Sequence, residues 1–290
     1  MSENSFPKVL VQLDSDPHAS VFDAVVAIDS GVDHLLQYQA VEPTQVRDLV
    51  HGAMFTRGPN DLKNTAVFIG GSTVAAGELL MRQVVESFFG PIRVSVMMDA
   101  NGANTTAAAA VLAARRHVDL SGITATVLAA TGPVGQRVVR LLAAEGAEIR
   151  VASRRLERAE QVCREISDSI ESVNLSAWQT SNESETTAAL SGAQAVIAAG
   201  AAGIELISQE ARRQSGPEVA IDLNAVPPLG IAGVEVTDSA VDRQGTICYG
   251  AIGVGGTKMK IHRAAIRSLF ESNSCLLDAE EIYALGKSLE

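Results

Sequence analysis

A run of small and apolar residues at 125–130 ends in Thr131-Gly132-Pro133-Val134-Gly135, a helical pattern follows, and a second apolar run closes at Ser153-Arg154-Arg155. That order sets Gly132 and Gly135 between a strand and the helix after it. There the backbone can approach a pyrophosphate closely, and the free N–H groups of a helix N-terminus face its charge. The spacing is that of G-x-G-x-x-G, with Ala130 in the first glycine position. Thr131, Gly132, Pro133, Val134 and Gly135 are therefore the expected dinucleotide contacts. A site selective for NAD places a carboxylate about 20 residues further on, to hold the ribose 2′-hydroxyl. Here Ser153, Arg154 and Arg155 stand in that place, with no acid before Glu157. A serine and two guanidinium groups suit a 2′-phosphate, because arginine offers planar, paired donors. NADP is the expected cofactor, with NAD left open as an alternative.

Three more polar clusters stand against an apolar background. Asp14-Ser15-Asp16-Pro17-His18 follows the first apolar run and precedes Phe22 and Asp23. Carboxylates after a strand face the crevice in which open α/β sheets bind ligands, which makes Asp14 and Asp16 candidate substrate contacts. Metal ligation by the two acids and His18 lacks a second ligand group nearby, so no metal is expected. Asp16 or Ser20 capping the next helix accounts for part of this cluster. A second cluster runs from Asp99 through Asn101 and Asn104 to Thr105 and Thr106, again at a strand end. Either Asn104 or Thr105 would cap the following helix. The surplus of amides and hydroxyls suits a polar heterocycle, so Asp99, Asn101, Asn104 and Thr105 are candidate contacts.

The third cluster joins 222–230, stiffened by Pro227 and Pro228, to the glycine-rich stretch 250–260. Repeated glycines let backbone pass close to a ligand, and Asn224 and Gly253 are assigned to the cofactor on that ground. Lys258 and Lys260 share one face if the segment is extended and part if a helix starts there. Lys258 is the candidate to anchor an anionic tail or act on the reacting group, and Lys260 is read as solvated.

Positioning these groups requires alternating strands and helices. Strands are expected at 9–13, 34–39, 65–69, 93–98, 125–130, 148–152, 195–199 and 219–223. Helices are expected at 20–28, from Pro43, and at 75–89, 105–117, 134–145, 156–170 and 279–288. The fold class is α/β with two α/β domains, the second a Rossmann-type parallel sheet, and an interdomain cleft. Residues 1–104, completed by 266–290, form the expected substrate domain, and 105–265 the NADP domain. The helix at 105–117 links them.

A net charge of −11 argues against a nucleic-acid surface. No run of about 18 apolar residues marks a membrane span, and the N-terminus lacks a basic flank with an apolar region behind it, so a cytoplasmic protein is expected. Cys163, Cys248 and Cys275 are widely spaced and read as buried thiols.

The segments VLVQLDSD, SVFD, AVFIGG with AAGE, FFGP, MMDANGANTT, LAATGPVG, DLNAVPPLGI, GAIGVGGTKMKIHRA and DAEEIYALGK resemble, in order over nearly the whole chain, the methylene-tetrahydromethanopterin and methylene-tetrahydrofolate dehydrogenases of one-carbon metabolism in methylotrophs and planctomycetes. The resemblance implies a two-domain protein with NADP on the second domain and a reduced pterin in the cleft, assembled as a homo-oligomer, a trimer. Relatives often carry glycine where this chain has Ala130. The implied reaction is reversible hydride transfer from the methylene bridge of tetrahydromethanopterin to NADP, giving the methenyl form, with tetrahydrofolate as a slower substrate. No proton leaves the reacting carbon, so alignment, water exclusion and electrostatics do the work. On this reading Phe22 packs along the pterin, Asn101, Asn104 and Thr105 meet its polar edge, Asp14, Asp16 and Asp99 favour the cation, and Lys258 binds a carbonyl or the tail. Two other readings remain: another NADP-dependent dehydrogenase, and a non-catalytic pterin- or nucleotide-binding redox sensor.

Overall fold

The computed structural model describes residues 6–290. The chain divides into two compact units. One runs up to Thr105 and resumes with Met259–Glu290; the other is Thr106–Lys258.

In the first unit, strands β1 (Val9–Asp14), β2 (His34–Tyr38), β3 (Thr65–Gly70), β4 (Ser95–Met98) and β12 (Leu276–Leu277) form one sheet in the order β12-β4-β3-β1-β2. Every pairing is parallel. A parallel sheet is covered on both faces, so its central strands are apolar throughout rather than alternating. All six residues of β3 are buried, whereas β2, at the edge, is largely exposed. Helices α1 (Val21–Asp29), α2 (Pro43–Met54) and α3 (Val74–Glu86) alternate with the strands, and α10 (Ala279–Ser288) closes the unit. Proline at the first position of α2 costs no helical hydrogen bond, and Glu42 and Gln45 complete a capping box there. One cluster of its core has Leu13, Met54, Ile69, Leu80 and Met98 sealed from solvent.

The second unit begins within α4 (Ala103–Arg115) and alternates β5 (Thr124–Leu128), α5 (Pro133–Ala144), β6 (Glu148–Ser153), α6 (Leu156–Ser169), β7 (Asn174–Gln179), α7 (Glu183–Leu190), β8 (Ala195–Ala198), α8 (Gln209–Ser215) and β9 (Val219–Asp222). The short strands β10 (Val241–Asp242) and β11 (Ile247–Tyr249) lead into α9 (Ala251–Ser268). Sheet order is β10-β11-β9-β8-β5-β6-β7. With β10 set aside, the six parallel strands run 3-2-1-4-5-6, the doubly wound arrangement of a Rossmann sheet, and the α/β class expected from the sequence is the one observed. Its order reverses between β5 and β8, and both strands end beside the glycine turn.

One expected element is corrected, and one segment left open by the sequence is decided. The helix read at 75–89 stops at Glu86, because the Ser87 hydroxyl and N–H both turn back to the Gln83 carbonyl while Phe89 pairs with Ile92. For 250–260, which the sequence left either extended or helical, the structure has the start of α9, an 18-residue helix. Glycine is a poor helix former, yet here contact decides. A Cβ on Gly250 would lie 2.0 Å from the Glu235 carbonyl oxygen, and one on Gly253 1.7 Å from that of Asp238. Only bare backbone lets this helix lie against the 235–239 segment.

Candidate functional site

The first sheet carries its polar groups where its strand order reverses, at the C-terminal ends of β1 and β3. Asp14 ends β1 and is 1% exposed. Its carboxylate accepts the N–H groups of Asp16, at 2.9 Å, and of Ser20, at 3.1 Å, folding the following loop over itself. Asp16 reaches across to the loop after β3 and accepts both the N–H and the hydroxyl of Ser72, each at 2.9 Å. The cap of α1 is Ser20, whose hydroxyl accepts the Asp23 N–H; Asp16 has the other task. The two loops close tightly enough that a Cβ on Gly71, at φ +106°, would sit 2.4 Å from the Ser15 hydroxyl.

Asp99, at the end of β4, is also buried. One carboxylate oxygen accepts the N–H groups of Asn104 and Thr105, both at 3.0 Å, and the other the Thr105 hydroxyl at 2.6 Å. The expectation that Asn104 or Thr105 caps the helix is thus corrected: both lie inside α4, and Asp99 supplies the accepting oxygens at its N-terminus. Asn104 donates to the Met98 carbonyl at 2.6 Å and to Asp278 at 2.8 Å, fastening β4 to the start of α10. Asn104 and Thr105 are sealed from solvent, so they act on a ligand only through what they hold. Asn101 is exposed in the left-handed region at φ 55°, and its N–H donates to the Gly71 carbonyl. Phe22 is half exposed, with its ring tilted 6.2 Å from that of His262.

His262 and Asp23 were not singled out from the sequence. His262 is buried on α9, stacked on Phe68 at 5.8 Å, with Nδ1 3.8 Å from the Asp99 carboxylate. Asp23 lies close by on α1. Burial, the largest influence, raises its carboxyl, His262 and the Ser20 hydroxyl lower it, and Asp99 and Asp14 raise it, leaving it pushed up to about 6. Three carboxylates and an imidazole thus gather from β1, α1, β4 and α9. The signal for Asp23 was present one residue after Phe22. That for His262 was hidden in a stretch whose conformation the sequence left open, so its helical phase could not be read. Among the described residues no group of His, Cys, Asp or Glu has metal-binding geometry.

In the second unit the turn after β5 places Ala129 at φ 52°, then Ala130, fully buried, with Gly132 as the N-cap of α5 and Pro133 at its first position. The left-handed residue is therefore Ala129, and the methyl of Ala130 does not carry the turn's strain. A Cβ on Gly135 would meet the Ala130 Cα at 2.7 Å, so α5 rests directly on the turn and no side chain fits between. Beside this turn lies a cavity of about 830 Å³. Leu128, Ala129, Thr131 and Gly132 form one wall, and Ser153, Arg154, Arg155 and Arg158 another. Residues within 180–186 and 199–211 contribute the rest, among them Glu183 and Glu205. The Ser153 hydroxyl accepts the Arg155 N–H, shaping the bend after β6. Arg158, one turn into α6, was not among the residues read from the sequence; its spacing of three from Arg155 was the available signal.

Pro133, Val134 and Gly135 back the cavity through the helix start without lining it. Asn224 folds its own loop, donating to the Pro228 carbonyl and accepting the Val226 N–H, and Gly253 answers to the Asp238 contact. Neither lines the cavity. Since α9 is helical, Lys258 and Lys260 point apart: Lys258 is half-buried and Lys260 exposed.

A family model described as methylene-tetrahydromethanopterin dehydrogenase, N-terminal, matches residues 21–101. The chain is 44% identical over 285 residues to the bifunctional protein MdtA of Methylorubrum extorquens, covering 97% of this chain and 99% of that protein. It is 30% identical over 281 residues to the NAD(P)-dependent methylenetetrahydromethanopterin dehydrogenase of the same organism, with 93% and 94% covered. Among solved structures, shikimate 5-dehydrogenase from Listeria monocytogenes superposes with a TM-score of 0.54 at 12% identity, over 100% of this chain and 99% of that one. The 5-ketofructose reductase of a Gluconobacter strain gives 0.54 at 14% identity, over 98% and 99%. These two likenesses are of fold.

Proposed function

Because the chain belongs to the methylene-tetrahydromethanopterin dehydrogenase family, we propose that it is an NADP-dependent oxidoreductase that converts methylene-tetrahydromethanopterin to the methenyl form, reversibly, and accepts methylene-tetrahydrofolate more slowly. The observation that carries the cofactor half of this reading is the cavity beside the glycine turn, with arginines and no carboxylate at the end of β6. NADP fits it: the N-terminus of α5 offers N–H groups to the pyrophosphate, the absent Cβ at Gly135 keeps the turn tight, and Ser153, Arg154 and Arg155 offer donors to the 2′-phosphate. When bound, the nicotinamide supplies the acceptor for a hydride.

The chain's own residues need no general base, because the substrate carbon loses hydride and no proton. The product carries a delocalised positive charge, and the first unit's carboxylates lower its energy. Asp99 and Asp14 are fixed by backbone donors and cannot reorient, so their field is present before the charge develops. Phe22 offers an exposed apolar face for the ring system, Asn101 an exposed amide for its polar edge, and Lys258 a cation for a carbonyl or the anionic tail. A homo-oligomer, a trimer, in the cytoplasm completes the reading. Among the described residues no helix is long and apolar enough to cross a membrane.

The test is nicotinamide reduction, followed by its near-ultraviolet absorbance, with each methylene pterin against NADP and NAD. Turnover with NADP and methylene-tetrahydromethanopterin is expected to be fastest. Binding of NADP with no turnover on either pterin overturns the dehydrogenase reading. Lys258→Ala is expected to raise the pterin KM about tenfold, and unchanged kinetics remove Lys258 from the site.

A further inference from the structure

Resting on the dinucleotide reading of the second unit, we propose that Arg158 is the third arm of a clamp for a ribose 2′-phosphate and the residue that makes the site discriminate between phosphorylated and unphosphorylated nucleotides. Three observations converge. Arg154, Arg155 and Arg158 all border the same cavity at the end of β6, and Glu157, the one acid among them in sequence, does not. None of the three side chains has a hydrogen bond or ion pair within the described residues, whereas Arg150, Arg212 and Arg243 of this unit are each bonded to protein groups. Three guanidinium groups brought together without a protein counterion repel one another, and an anion relieves that repulsion. Finally, Arg155 is the N-cap of α6 and Arg158 its third residue, joined by the Arg158 N–H donating to the Arg155 carbonyl.

Arg158 differs from the other two in how it is carried. Arg154 and Arg155 follow the strand on irregular backbone, but the Arg158 N–H bonds back to the Arg155 carbonyl at 3.2 Å inside the helix start. Its stem is therefore directed by regular secondary structure, and less freedom is lost when its head group meets a phosphate. Two carboxylates share the cavity. Glu183 accepts the Ser208 hydroxyl at 2.8 Å, and Glu205 stands with Ile204 and Leu206 on the segment after β8. The cavity thus has a cationic side at β6 and an acidic side formed by α7 and the segment after β8, which orients an adenosine 2′-phosphate with its phosphate toward β6.

The experiment is calorimetric titration of the whole protein with 2′,5′-ADP and with 5′-ADP, on the native chain, Arg158→Gln, Arg158→Lys and, as a charge control, Arg164→Gln. Arg164 lies further along α6, exposed and paired with Glu160. The native protein is expected to prefer 2′,5′-ADP, and Arg158→Gln to lose about tenfold or more of that preference with little change for 5′-ADP. Arg158→Lys recovers part of it, and Arg164→Gln none of the loss. An unchanged preference in Arg158→Gln, or an equal loss for both nucleotides, overturns the assignment. If the native chain binds neither nucleotide, the dinucleotide reading falls with it; if it binds both and Arg158→Gln is indifferent, only the clamp falls.

Discussion

At the end of the first sheet the charged groups are carboxylates, buried and tied to backbone: Asp14 holds two N–H groups and Asp99 two N–H groups and a hydroxyl. At the end of β6 in the second sheet they are guanidinium groups, exposed and without side-chain partners among the described residues. Both ends occupy the position where doubly wound sheets take ligands, yet they are finished differently. A buried carboxylate must be satisfied by the fold itself, or its desolvation is uncompensated. An exposed guanidinium stays hydrated until a ligand replaces the water. The first end is therefore built during folding, and the second is completed by what it binds.

That contrast predicts where substitutions act. Asp99→Ala leaves the Asn104 and Thr105 N–H groups and the Thr105 hydroxyl without their acceptor in a dry site, and is expected to cost about 3 kcal/mol of folding stability. Chemical denaturation measures it, and a loss below about 1 kcal/mol breaks the comparison at its first term. Arg154→Gln combined with Arg155→Gln is expected to leave stability within about 0.5 kcal/mol while raising the KM for NADP about thirtyfold, or roughly 2 kcal/mol of binding. If the double variant unfolds instead, the second end is structural as well.

The smallest effect concerns pH. The Asp23 carboxyl sits near 6 in the folded protein, above its ordinary unfolded value close to 4. Between those values the folded form holds a proton that the unfolded form has released, so stability falls as pH rises from about 4 to about 6 and then levels. Asp222, raised mainly by burial, contributes in the same sense. In Asp23→Asn the fall should be shallower than in the native protein when denaturation midpoints are compared across that range, and an unchanged slope sinks the Asp23 contribution.

Much of the architecture was legible because parallel strands announce themselves as continuous apolar runs. The segment at 65–69 lies in β3 and that at 125–130 in β5, although Ala129 and Ala130 belong to the turn after β5. The polar strand β7, sequence NLSAWQ, carried no such signal and was missed, since its burial is only partial. The 250–260 stretch stayed open between extended and helical for a different reason: glycine there marks backbone in contact with backbone at Glu235 and Asp238, a relation with no trace in local pattern. That open choice also hid His262, whose place beside Asp99 depends on the helix being there.

By itself the sequence determined the alternation of strands and helices as far as α6, the glycine turn and the absence of an acid at the end of β6, because these follow from local hydrophobic period and from residue type. Only the tertiary structure decided which polar residues are spent on the fold. Asp14, Asp16, Asn104 and Asn224 look in sequence as available as Asn101 does, but their partners come from folded loops and neighbouring strands, and a buried polar group takes whichever donor or acceptor packing brings within reach.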